Sequence, residues 1–161
     1  MMRIAFGTNR YGDPLRQRVV ELLRRLGHEV VDVLDCNDSF GDYPDIAVAV
    51  ARQVSLGDVD RGILMGGTGL GMCIVANKFP GVRAAPCHDE VTAEISRRHN
   101  DLNVLCLSAS IIGELPIHRI VEIWLRTPFA GGRHARRVQK ISLLERSHSR
   151  NTPQQDLTAS P

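Results

Sequence analysis

Short apolar runs alternate along this chain with segments whose apolar residues recur at helical spacing, and this alternation constrains the fold more than any other feature. Ile4-Ala5-Phe6 reads as a first strand, closed by the turn-like residues 7–12. Leu15, Val19, Leu22, Leu23 and Leu26 then recur with a helical period, which Gly27 stops. Residues 30–34 predict a second strand. Asp42-Tyr43-Pro44 opens the next helix, with the proline in the first turn where its missing N–H costs nothing. Ile46, Ala47, Val50, Ala51 and Val54 form the stripe of that helix, ended near Gly57. Residues 62–65, 82–85 and 104–107 predict three more strands, and residues 72–78 and 91–98 the helices between them. Ile117, Ile120, Val121, Trp124 and Leu125 mark a further helix, and Val138, Ile141 and Leu144 a last one.

Strand and helix in strict alternation predict an α/β domain with a five-stranded parallel sheet and helices on both faces. Such sheets bind ligands beyond the carboxyl ends of their strands. Residues 8–12, 66–71, 87–89 and 108–110 should therefore share one rim. The predicted domain spans residues 1–146. Residues 147–161 are rich in Ser, Thr, Gln and Pro without an apolar period, and are expected to form a disordered tail.

Composition narrows the function classes. The chain has 161 residues, enough for one domain with a real core, and its formal charge of +2 is too small for a general polyanion-binding surface. Anion chemistry must come from local clusters. No apolar run is long enough for a membrane span, and residues 1–7 lack the apolar stretch of a signal peptide. Cys36, Cys73, Cys87 and Cys106 form no C-x-x-C pair, so neither a zinc site nor a dithiol is indicated, and a cytoplasmic location with free thiols is expected. No metal, cofactor, nucleic-acid or membrane partner is expected.

Gly66-Gly67-Thr68-Gly69-Leu70-Gly71 follows the third strand and precedes a helix. Closely spaced glycines let a backbone turn sharply and expose its N–H groups, while the helix start adds positive potential. The segment suits an oxyanion, a carboxylate or a phosphate, with Thr68 adding a hydroxyl. A tight strand–helix turn without a ligand would use glycine as well. The Gly-Lys-Ser/Thr of a nucleotide-binding P-loop is absent, and a dinucleotide fingerprint belongs after the first strand. A nucleotide-binding domain is thus a weaker reading.

Arg133, Arg137 and Lys140 fall on one helix face, as a phosphate clamp or as a solvated basic helix end. Non-specific RNA binding would leave the same basic patch, but no aromatic platform accompanies it. His99, in His99-Asn100-Asp101, has the chemistry of an acid–base group, and a histidine at a helix C-terminus is also favoured by the dipole. His88, between Cys87 and Asp89, is equally ambiguous.

Taken together, these segments resemble a known family. Asp42-Tyr43-Pro44-Asp45, Gly67-Thr68-Gly69-Leu70-Gly71-Met72, Ala76-Asn77-Lys78, Arg98-His99-Asn100-Asp101, Asn103-Val104-Leu105 and the run from Gly131 to Val138 are similar, in order and spacing, to type B ribose-5-phosphate isomerases. The wider family includes the galactose-6-phosphate isomerase subunits. The resemblance implies a Rossmann-like three-layer sandwich, a homodimer or dimer of dimers, and a site between two subunits. It implies aldose–ketose isomerisation of a sugar phosphate through a cis-enediolate, without metal or nucleotide. Carried over by position, Thr68 and His99 would assist ring opening. Gly67, Gly69 and Gly71 would supply backbone donors, and Asn100 would hydrogen-bond the substrate. Arg133 and Arg137 would bind phosphate.

The sequence departs from the family pattern at three places. The first loop, usually Gly-x-Asp-His, reads Gly7-Thr8-Asn9-Arg10, so Asn9 keeps hydrogen bonding to substrate without a carboxylate, and Arg10 takes the phosphate-binding place of histidine. The usual catalytic cysteine directly before Gly67 is Gly66. A second branch places a glutamate where this chain has Met72. Cys73 is adjacent, but in a helix it points about 100° away from Met72. Asp42, His99 or a residue of a second subunit remain as candidate bases. The alternative reading is a non-catalytic sugar-phosphate binder, or the base-less partner subunit of a hetero-oligomeric isomerase.

Overall fold

The computed structural model describes residues 1–33 and 42–149, which form a parallel sheet between two helical layers. The elements run β1 (Arg3–Thr8), α1 (Asp13–Arg25), β2 (Glu29–Asp32), α2 (Tyr43–Leu56), β3 (Arg61–Gly66), α3 (Leu70–Ala76), β4 (Ala84–Pro86), α4 (Glu90–Asn100), β5 (Val104–Ser108), α5 (Glu114–Arg126) and α6 (Arg133–Ser149). The strand order is β2-β1-β3-β5-β4, and every pairing is parallel. Leu34 and Cys36 lie outside the described residues, as do residues 150–161 of the expected tail. Helix α6 continues through residues 147–149, where the sequence predicts the tail to begin.

Two apolar layers result from the period of two along each strand. Ile4, Phe6, Ile63, Met65, Leu105 and Leu107 face α1, α4 and α5, which contribute Leu22, Leu23, Ala93, Ile117, Val121 and the fully buried Trp124. Ala5, Leu64, Val104 and Cys106 face α2 and α3, which contribute Ala47, Val50, Ala51, Met72 and Ala76. Strands apolar on both sides are what a doubly covered parallel sheet demands. Helix α2 begins with Asp42 and Pro44 and ends at Gly57 in the left-handed region, as its sequence predicts.

Arg61 joins sheet and helix at the opposite end from the rim. Its guanidinium donates to the carbonyls of Trp124 (3.0 Å) and Leu125 (3.2 Å), so it caps the last turn of α5 while lying 5.1 Å from the Trp124 ring centroid. Burial, and then the neighbouring Arg97, lower its pKa to about 10, so it stays charged at neutral pH.

Candidate functional site

The chain runs from β1 outward to β2, and returns across β1 to β3. The carboxyl ends of β1 and β3 therefore flank a topological switch point, where open α/β sheets form a crevice. A cavity of about 460 Å³ lies there, lined by Asn9, Tyr11, Tyr43, residues 66–69, Gly71, Met72 and Ser110. Asn9 continues β1, where its backbone N–H donates to the Met65 carbonyl (3.3 Å) and its Oδ1 accepts from the Tyr11 N–H (3.2 Å). That second bond closes the turn and leaves the Asn9 amide nitrogen on the pocket side.

The glycine segment is tied down by its carbonyls. Gly66 accepts from the Ala109 N–H (2.8 Å), and Gly67 accepts from the Ser110 N–H (3.1 Å) and the Ser108 hydroxyl (2.6 Å). In a trans peptide the N–H points opposite to the C=O. The N–H groups of Gly67 and Thr68 are thus turned away from β5. Gly69 takes φ +73°, and a Cβ there would stand 3.0 Å from the Leu107 carbonyl oxygen. A Cβ on Gly71 would stand 2.5 Å from the Tyr43 ring, so glycine is what lets the phenol lie over the loop. The Thr68 hydroxyl accepts from the Leu70 N–H (3.3 Å) at the exposed tip.

Positions 66 and 72, from different elements, meet at one point. A Cβ on Gly66 would lie 3.3 Å from the Met72 sulfur and 3.7 Å from the Asn9 amide nitrogen. A side chain from either position thus reaches the same part of the pocket floor. Here that floor is a buried thioether, and the described residues lining the pocket include no carboxylate, thiol or imidazole. Cys73 instead donates to the Ala84 carbonyl at 3.4 Å and is absent from that lining.

The other predicted residues gather elsewhere. His99 and Asn100 form the last turn of α4, two residues beyond the helix end expected from sequence, and Asp101 caps it with φ 48°. After the turn, the Ala130 N–H donates to the Arg98 carbonyl (3.1 Å), and Gly131 and Gly132, both at positive φ, start α6. The His134 N–H reaches the Gly131 carbonyl (3.0 Å). The His134 ring is buried and lies flat on His99, with centroids 4.1 Å apart and planes within 7°. Burial foremost, then the charges of His99, Arg133, Arg137 and Arg98, hold the His134 pKa below the ordinary histidine value. Arg133 and Arg137 stay exposed around the stack, as does Arg10 beyond β1.

The structure brings together Asn9, Gly67, Thr68, Gly69 and Gly71 in one cavity. It brings His99, Arg133 and Arg137 together around the α4–α6 junction, with Asn100 beside them. His99, Asn100, Arg133 and Arg137 do not line the glycine-loop cavity of the same chain. Residues 87–89 follow β4 at the sheet edge and take no part in it. Sequence reasoning missed the pocket roles of Tyr11, Tyr43 and Ser110, and the stacking role of His134. Tyr11 and Ser110 are single residues in turns, and Tyr43 and His134 lie in the first turns of helices; only the fold shows what they face.

A parallel sheet with an amide cradle at its switch point, and a separate histidine–arginine group, has the chemistry that suits a small, oxygen-rich, anionic ligand. The family model described as Ribose/Galactose Isomerase matches residues 4–141. Ribose-5-phosphate isomerase B of Escherichia coli is 42% identical over 145 residues, covering 90% of this chain and 97% of that one. D-erythrulose-4-phosphate isomerase of Pectobacterium atrosepticum is 39% identical over 148 residues, covering 90% and 96%. Among solved structures, ribose-5-phosphate isomerase B of Clostridium thermocellum superposes with a TM-score of 0.86 at 42% identity, covering 91% of this chain and 99% of that one. The Mycoplasma genitalium enzyme with bound ribulose-5-phosphate gives 0.83 at 38% identity, covering 93% and 97%. The chain belongs to the Ribose/Galactose Isomerase family. Its class of reaction is the aldose–ketose isomerisation of sugar phosphates.

Proposed function

We propose that this chain interconverts ribose 5-phosphate and ribulose 5-phosphate, or a closely related aldose and ketose phosphate, in a site completed by a second copy of itself. The observation that carries this reading is the division of the site. One chain offers the amide cradle with Asn9, Thr68 and the tyrosines, while its His99, Asn100, Arg133 and Arg137 lie outside that cavity. A homodimer, or a dimer of dimers, that sets one group against the other gives each substrate both.

The reaction moves one proton between C2 and C1 and another between O2 and O1, through an enediolate. The N–H groups of Gly67, Thr68, Gly69 and Gly71 are preorganised for the charge that develops on those oxygens, and Asn9 and Asn100 hydrogen-bond the hydroxyls. His99, with Thr68, handles the ring-oxygen proton as the cyclic sugar opens. Arg10, Arg133 and Arg137 hold the phosphate, whose binding energy positions the reacting end. Cys73, Cys87 and Cys106 are free thiols, which suits the reducing cytoplasm. A panel of tetrose, pentose and hexose phosphates, assayed for aldose–ketose conversion, tests the activity. Turnover of at least one is expected; inertness towards all, alone or with a related subunit, overturns it.

Gly66 and Met72 favour a second reading, a subunit that binds sugar phosphate without turning it over. Gly66→Cys separates the two. If the wild type binds but is inert and the variant turns over, the floor lacked only its base. Full activity in the wild type rejects this second reading.

A further inference from the structure

The proposed chemistry uses His99 but gives no task to the residue that covers it. His134 comes from α6, thirty-five positions along the chain, and lays its ring face to face on His99 at 4.1 Å with a 7° tilt. It is the buried member of the pair, at 8% exposure, while His99 is only partly covered. Its Nε2 accepts from the Arg133 Nε–H at 3.5 Å, and its Nδ1 is enclosed with no partner among the described residues. A packing residue at this place needs no polar atom, and an enclosed ring nitrogen without a partner is costly. Phenylalanine would fill the space without that cost.

We propose that His134 is a positioning residue, whose ring, stacked on His99, fixes the direction in which the His99 imidazole presents its proton to the sugar. This rests on the reading of His99 as the ring-opening acid. The χ2 torsion of histidine is broad, so an imidazole held only by its helix would sample many ring orientations. A flat neighbour in parallel contact leaves only in-plane choices. Two imidazolium rings stacked in this way would repel, as would a cationic His134 among Arg98, Arg133 and Arg137. The stack is therefore compatible with at most one charged ring. Stacked aromatic pairs attract one another beyond what burial alone supplies, enough to bias one rotamer.

The test compares His134→Ala and His134→Phe on two substrates. Ribose 5-phosphate closes into a furanose and must be opened. Erythrose 4-phosphate has its O4 esterified and has no hydroxyl that can close a five-membered ring. The expected result is a loss of about tenfold in kcat on ribose 5-phosphate for the alanine variant, the scale of a misplaced acid, with KM within about twofold. Its rate on erythrose 4-phosphate should be unchanged, and the phenylalanine variant should stay within about threefold of wild type on both, because it keeps the flat contact. Proton NMR of the His99 ring supplies a readout independent of turnover. Its carbon-bound protons should be shifted upfield in wild type and the phenylalanine variant, and revert in the alanine variant. Equal losses on both substrates, full activity in the alanine variant, or His99 signals indifferent to His134 would overturn the inference. A wild type inert towards every sugar phosphate overturns the proposed function instead, and the NMR comparison then decides the inference alone.

Discussion

Single atoms decide what this pocket can do. Glycine at position 66 puts a thioether, rather than a group able to take a proton, at the point where side chains from two elements converge. Glycine at position 71 has the opposite effect, since it makes room for the Tyr43 phenol. Gly71→Ala would drive a methyl carbon to 2.5 Å from the Tyr43 ring, and one of the two must move. We expect KM for the sugar phosphate to rise about tenfold with little change in the melting temperature, because the tyrosine is exposed and can swing out. Steady-state kinetics beside thermal unfolding checks this; an unchanged KM would mean the phenol does not contribute to binding. The residues of the cradle were legible in the sequence because glycines at a strand end say where N–H groups must be bare. Tyr43 and His134 were not legible as site residues. Each acquires its meaning from a neighbour far along the chain, Gly71 in one case and His99 in the other.

At the scale of elements, sequence and structure agree closely because period and punctuation coincide. Helices α1 and α2 end at Gly27 and Gly57, both in the left-handed region, and each of the five strands overlaps its apolar run, with β4 starting two residues later than expected. The error at the end of α4 is instructive. Asp101 caps that helix at φ 48°, a conformation glycine or asparagine more often supplies, so no expected stop residue marked it. It holds because its carboxylate pairs with Arg83 (3.0 Å) and with the buried Arg97 (2.9 Å). At the other end of α4, Asp89 accepts from the Thr92 N–H at 2.6 Å. That backbone bond first, and the Thr92 hydroxyl second, hold the Asp89 carboxyl below the ordinary carboxylate range. A carboxylate with a lowered folded pKa stabilises the fold above its unfolded value, and the contribution is lost as pH falls through the folded one. Asp89→Ala should therefore lower the melting temperature by a few degrees at neutral pH, and the gap should close in acid. Melts across the carboxylate range test this; a gap that persists at the acid end would contradict it.

For the whole molecule, the question is how two half-sites become one. If the cradle of one copy meets the clamp of another, a cradle variant and a clamp variant can repair each other. Gly69→Val removes the left-handed turn, and Arg133→Ala with Arg137→Ala removes the clamp. Each alone should be nearly inactive. Refolded together as a mixture, they should regain about a quarter of wild-type activity, since half of the two-fold dimers are hybrids with one intact site each. A mixture no better than its parts would place the whole site in one chain. The pairing of β1 with β3 has a consequence of its own. Ile4 pairs with Arg61, so Asn9 and Gly66 become neighbours only after 57 residues of chain have looped back. A partly folded chain without that pairing has no pocket, and a sugar phosphate can bind only the finished sheet. By mass action, ligand at a hundred times its dissociation constant then adds about 2.7 kcal/mol to the folded state. Metabolite supply would in this way set how long the polypeptide survives proteases, whether or not the bound sugar is ever converted.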